Sequence, residues 1–162
     1  MMGIEGSPFV SHGCSSRTER AELSAETRSQ LLDACQSAYP EEACGVLAGD
    51  LPGPAANQAD GVVRVTAVYP IRNTASDTAA AFSFHPQDWI NTLYRIQKNR
   101  QSLVGIYHSH PVQPAFPSEA DHQGMQFGSA ASYWIISLAD RACPVIQPYR
   151  WENRAFHPLV LA

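Results

Sequence analysis

The chain has 162 residues, 44% of them hydrophobic, which suits one domain with a single sizeable core and would leave two domains cramped. Its net charge of −4, with 11 Lys plus Arg and no basic run longer than two residues, argues against a broad nucleic-acid footprint. No segment approaches about 18 consecutive apolar residues and the N-terminus lacks an apolar signal core, so a soluble cytoplasmic protein without membrane contact is expected.

Residues 1 to about 20 are rich in Gly, Ser and small polar residues and read as a flexible tail, with one domain from residue 21 to 162. Ser24 can cap a helix: Glu26 falls in its first turn, Leu31, Cys35 and Ala38 follow at i, i+4, i+7, and the helix should end before Pro40. The run from Pro40 to Gly49 has strand length, and a polar loop follows from Leu51 to about Gly61. Val62, Val63, Val65, Ala67 and Val68 read as one further strand, ended by Pro70–Thr74. A turn-like segment and a short strand from Ala80 to Phe84 come next.

Pro86 suits the first position of a helix with Asp88 in its first turn, an apolar face of Trp89, Leu93 and Ile96, and Lys98 and Arg100 near its end. After a strand at Leu103–Tyr107, a short helix is expected from Asp121 to Ser129, then strands at Tyr133–Leu138, Val145–Trp151 and Phe156–Leu161. This mixture implies an α/β fold, one curved mixed sheet sandwiched by helices. Cys14, Cys35, Cys44 and Cys143 show no tight spacing and no Cys-x-x-Cys, so they read as reduced thiols.

The chemistry concentrates between Gly105 and Asp121. His108 and His110, one residue apart at the end of an apolar strand, should lie on one face and reach one ion. Pro111, Pro114 and Pro117 stiffen the loop that follows. That loop delivers Ser118 to a helix N-cap and Asp121 to the first turn. Two imidazoles and one carboxylate leave a fourth tetrahedral position open, as in a catalytic zinc site. A hydrolytic site also needs a base, for which Glu41 and Glu42 are candidates. They are neighbours in an extended segment, so only one should face the ion; residue physics leaves the choice even.

His108-Ser109-His110, then Ser118, then Asp121 at this spacing resembles the signature of the JAMM (MPN-plus, Mov34/JAB-type) zinc metalloproteases. The resemblance spans about residue 21 to the end. It implies a β-sheet with a long helix on either side, of the cytidine-deaminase-like type, and one zinc near its centre held by His108, His110 and Asp121. Glu42-Ala43-Cys44-Gly45 is similar to the family's catalytic-glutamate segment, which selects Glu42 as general base. Ser118 would then hydrogen-bond the oxyanion that forms on the substrate carbonyl.

The compact form resembles stand-alone bacterial members that trim the C-terminal tail of ubiquitin-like sulfur-carrier proteins by hydrolysing peptide or isopeptide bonds. Competing expectations are a deconjugase of a ubiquitin-like modifier in an antiviral system and a non-catalytic MPN interaction module. A RadC-like DNA-repair accessory is disfavoured by the absence of basic patches. His85 reads as a helix cap or surface residue and Cys44 as a small buried hydrophobe. His122 reads as a surface residue, while His12 and His157 lie far from the motif. The Arg72-Asn73 segment resembles a recurrent feature of bacterial members, with no role assigned beyond a turn.

Overall fold

The computed structural model of the chain describes residues 20–50, 61–125 and 132–162. Nearly all of the expected N-terminal tail, most of the polar loop after Asp50 and the end of the helix expected through Ser129 lie outside those residues. In chain order the elements are β1 (Arg20–Leu23), α1 (Ala25–Ala38), β2 (Cys44–Asp50), β3 (Val62–Val65) and β4 (Ala67–Ile71). Then follow α2 (Pro86–Lys98), β5 (Gln101–His110), α3 (Glu119–Gly124), β6 (Tyr133–Ser137), β7 (Val145–Glu152), β8 (Ala155–Pro158) and β9 (Val160–Leu161). Among the described residues no helix is long and apolar enough to cross a membrane.

Six strands form one mixed sheet in the order β4-β2-β5-β6-β7-β8, in which β5 and β6 run parallel and the other neighbours are antiparallel. Side chains alternate across it. Leu47, Tyr107, Trp134 and Ile136 pack with Leu31 and Cys35 of α1 on one face. Val46, Tyr69, Ile71 and Ile106 pack with Ile96 and Trp89 of α2 on the other. The expected sheet between helices is thus present. α1 begins as anticipated, with the Ser24 hydroxyl accepting from the Thr27 N–H, a cap of the kind worth about 1 kcal/mol.

Several expected elements differ. The single strand anticipated over Val62–Val68 is two strands in two sheets: β3 joins β1 and β9 in a small parallel sheet, while β4 forms an edge of the large one. The chain changes sheets at Thr66, whose N–H donates to the Ala48 carbonyl at 2.8 Å. A run of valines is equally good for either sheet, so its composition carries no mark of the handover. Pro70 and Ile71 continue β4 instead of ending it, because an edge strand tolerates a missing donor. Phe156–Leu161 divides in the same way into β8 and β9 about the buried Leu159.

Ala80–Phe84 is not a strand. It makes one isolated bridge, Asn73 to Phe84, because the preceding alanines turn around Asp77, whose carbonyl accepts from the Ala80 and Ala81 N–H groups. On α2 the buried positions are Thr92 and Ile96, with Trp89 half-buried and Leu93 38% exposed. The helix is therefore rotated from the expected face, and a threonine takes the place of a leucine against the sheet.

Gly45 is required by a close approach. A Cβ there would stand 2.4 Å from the Tyr69 carbonyl oxygen and 2.6 Å from Tyr107 Cε1, and the backbone contact cannot swing away. Gly45→Ala is expected to destabilise the fold by about 1–3 kcal/mol, the range for overpacking a core. A urea denaturation midpoint unchanged from wild type would contradict this packing.

Candidate metal centre

Strand alternation sets the site. His108 and His110 project from the same face at the end of β5, and their Nε2 atoms lie 3.1 Å apart. His108 is paired with Cys44 and Ile135, and the His110 carbonyl accepts from the Leu138 N–H at 2.9 Å, so ladders on both sides hold the histidine backbone. Both rings are buried.

The proline loop that follows is pinned through three consecutive carbonyls. Gln113 accepts from the Ser137 hydroxyl at 2.6 Å, Pro114 from His110 Nδ1 at 2.9 Å and Ala115 from the Tyr149 hydroxyl at 2.5 Å. These bonds fix the approach to α3. Ser118 and Asp121 then form a reciprocal capping box: the Asp121 N–H donates to the Ser118 hydroxyl at 3.1 Å, and the Ser118 N–H to Asp121 Oδ2 at 2.8 Å. Asp121 is thereby held with Oδ1 3.0 Å from His108 Nε2 and Oδ2 3.3 Å from His110 Nε2.

These groups fit zinc. Ligand atoms on a tetrahedral zinc, with bonds near 2.0–2.1 Å, stand roughly 3.3 Å apart. Here the two Nε2 atoms stand 3.1 Å apart, and each faces a different oxygen of the Asp121 carboxylate, His108 at 3.0 Å and His110 at 3.3 Å. Because a carbonyl can only accept, His110 donates from Nδ1 to Pro114, so in the neutral form of the ring the Nε2 lone pair would face the ion position. Glu42, His108 and His110 each bring one ligand-type atom within 4.8 Å of the others, so Glu42 stands beside the two histidines. Glu42 is buried and Glu41 exposed. The structure thus separates the two acidic neighbours that residue physics left even.

Residues 24–153 match the family model described as prokaryotic homologs of the JAB domain. The chain belongs to that family. It is 31% identical over 149 residues to a desampylase of Haloferax volcanii, covering 90% of this chain and 97% of the relative. It is also 31% identical over 119 residues to a probable TtuB-protein conjugate cleaving protease of Thermus thermophilus, covering 74% and 69%. Among solved structures, a protein from Desulfitobacterium hafniense aligns with a TM-score of 0.75 at 29% identity, over 88% of this chain and 91% of that one. One from Salinibacter ruber aligns with 0.63 at 28%, over the same shares.

In this JAB domain, burial works to raise the Asp121 carboxyl but is outweighed by hydrogen bonds from His108 and His110, which hold it far below the usual range. Burial works to lower His110, and the hydrogen bonds to Asp121 and the Pro114 carbonyl overcome it and raise the ring. Burial lifts Glu42 to about 7 among protein charges alone; His110 pulls it down, while Asp121 and Asp77 push it up. Two cavities flank the triad. One of about 290 Å³ opens onto His108 and Asp121 between Phe82, Phe84, Tyr133 and Phe156, with Phe82 stacked 4.6 Å from His108. Another of about 480 Å³ joins Glu42, His110 and Ser118.

The remaining polar residues that are described fall as expected. His85 caps α2 by accepting the Asp88 N–H at 3.2 Å, and His122 is exposed, with Nδ1 3.0 Å from the Ser118 carbonyl. His157 bonds the Glu152 carbonyl on β8, and His12 lies outside the described residues. Cys35 and Cys44 are buried free thiols, each pushed up to about 12, Cys35 by burial and Cys44 by burial with Glu42 adding; both are poor nucleophiles. Cys143 is free and exposed, and Cys14 lies outside the described residues.

Sequence reasoning passed over Ser109, the residue between the histidines. It is fully buried, its hydroxyl accepts from the Ala43 N–H at 2.8 Å, and its own N–H donates to the Ala43 carbonyl at 2.9 Å. Ser109 therefore ties the segment bearing Glu42 to the histidine strand. The only available signal was a polar residue at a position whose alternation points into the core.

Two predictions follow from these contacts. Ser109→Ala leaves the buried Ala43 N–H without its side-chain acceptor and is expected to cost about 1–3 kcal/mol in urea unfolding; a loss within error of zero would refute the tether. Arg72 forks onto Asp88 at 2.7 and 2.8 Å, and that hydrogen bond, against partial burial, lowers the Asp88 carboxyl to about 2. A depressed carboxylate stabilises above its ordinary pKa of about 4, and this contribution disappears as pH falls through about 2. Asp88→Asn should therefore unfold at lower urea than wild type at pH 7, with the gap closing between about pH 4 and 2. A gap independent of pH would rule out the ion pair as its source.

Proposed function

We propose that this JAB-family chain is a zinc-dependent peptidase that hydrolyses a peptide or isopeptide bond at the C-terminal tail of a ubiquitin-like protein, acting inside the cell. The observation that carries the reading is the closed triangle of His108 Nε2, His110 Nε2 and the Asp121 carboxylate beside the buried Glu42. A non-catalytic interaction module would have no need to bring these groups together, since burying ionisable side chains is costly without a function or a cation to offset it.

His108, His110 and Asp121 would hold the ion. When bound, zinc supplies Lewis acidity and a water whose pKa is lowered toward neutrality. Glu42 would act as the general base toward the attacking water and pass the proton on to the leaving amine. The Ser118 hydroxyl oxygen is engaged as acceptor of the Asp121 N–H, which leaves its own O–H free to donate to the oxyanion developing on the substrate carbonyl. An extended tail crossing from one flanking cavity to the other would set its scissile carbonyl over the triad. No covalent enzyme intermediate is needed.

Of the two substrate readings, processing of a sulfur-carrier precursor and cleavage of a conjugate, the second has the greater support. Both curated relatives carry names for conjugate-directed activity. The test is mass spectrometry of two substrates incubated with the zinc-loaded protein: a ubiquitin-like protein with a C-terminal extension, and the same protein linked to a lysine side chain. Cleavage directly after the tail is expected, abolished by chelation and restored by zinc. Glu42→Gln should retain one zinc while kcat falls by about 100- to 10,000-fold, the usual contribution of general acid–base catalysis. Retention of activity by metal-stripped protein, or by Glu42→Gln, would sink the mechanism.

A further inference from the structure

The Arg72-Asn73 segment, read from sequence only as a turn, does more in the folded chain. We propose that Asn73 is the positioning residue that holds Glu42 in place for the hydrolysis assigned above, an inference that rests on that functional reading.

Glu42 lies in an irregular stretch between α1 and β2, so no strand ladder fixes it. Its two backbone groups are held by one neighbouring segment: the Glu42 N–H donates to the Thr78 carbonyl at 2.7 Å, and the Glu42 carbonyl accepts from Asn73 Nδ2 at 3.1 Å. Asn73 Nδ2 also donates to the Ala81 carbonyl at 2.9 Å, while Oδ1 accepts from the Ala75 and Ser83 N–H groups, each at 3.0 Å. All four hydrogen-bonding positions of the amide are in use. Turning the amide over would set oxygen against two carbonyls and NH₂ against two N–H groups, so the network itself determines its orientation.

The same side chain therefore closes the loop from Asn73 to Ser83 and anchors the base to it. Across the neck of that loop, Thr74 N–H donates to the Ser83 carbonyl at 2.8 Å and His85 N–H to the Arg72 carbonyl at 3.0 Å. The loop also carries Phe82, which stacks on His108. Only asparagine meets these demands. Aspartate keeps the shape and both acceptor bonds but has no donor for the Glu42 and Ala81 carbonyls, and glutamine is one methylene too long. The metal ligands are spared in such variants, since β5 and the capping box hold His108, His110 and Asp121 independently.

The test uses the full zinc-loaded chain and the tail-extended ubiquitin-like substrate. Asn73→Asp and Asn73→Ala should lower kcat at least tenfold while zinc affinity, measured by chelator competition, stays within twofold of wild type. In a Glu42→Gln background, Asn73→Asp should change the residual rate by less than twofold, because the group it positions is already gone. A merely structural residue would instead shift zinc affinity and would act undiminished in that background. Asn73→Ser serves as a milder third variant. If none of the three retains zinc, if kcat stays within twofold of wild type, or if the loss persists in full without Glu42, the inference is overturned. A wild-type protein that binds zinc yet cleaves no tail would overturn the functional reading instead, so the two failures are told apart.

Discussion

The strict alternation of side chains along β5 is the constraint from which the rest of the site descends. It sends His108 and His110 to one face with their Nε2 atoms 3.1 Å apart, and it turns the intervening Ser109 toward Ala43. One tripeptide thus supplies the two proposed ligands and the tether for the segment that bears Glu42. Pairing of His108 with both Cys44 and Ile135 holds the strand from either side, so the ligand spacing inherits the rigidity of the sheet.

The other two contributors reach the site by different means. Asp121 arrives on a loop whose three prolines give up backbone donors and whose successive carbonyls at 113, 114 and 115 are taken by side chains of β5, β6 and β7. Glu42 arrives on a stretch without ladder partners and is fastened by side chains and loop carbonyls. Under the proposed function, ligands carried by regular structure and a base carried by an irregular stretch would be a sensible division. A metal tolerates little error in ligand placement, whereas a proton acceptor must reach toward both water and the leaving amine.

Electrostatics couples the parts. Asp121, His108, His110 and Glu42 are all substantially withdrawn from water, an expensive arrangement for ionisable groups. The depressed Asp121 and the raised Glu42 show that protein charges satisfy one carboxylate and not the other. A divalent cation bound to the triad would favour the ionised form of both. Metal binding would therefore be linked to the stability of this corner of the fold.

Much of this was legible in the linear sequence, for a physical reason: the groups involved are local. The His-x-His spacing, the Ser-x-x-Asp cap, the first helix with its Ser24 cap and the proline-stiffened loop each depend on residues within about a dozen positions, where periodicity and backbone chemistry decide the geometry. What only the tertiary structure decided involves contacts between distant segments. How Glu42, which the family resemblance singled out, is held buried beside the histidines depends on Thr78, Asn73 and Ser109, which lie 31 to 67 positions away by their numbering. The valine run of β3 and β4 divides between two sheets because Thr66 meets Ala48, and α2 buries Thr92 because of where it lands on the sheet. Sequence pattern records what a residue prefers; which partner it finds is settled when the whole chain closes on itself.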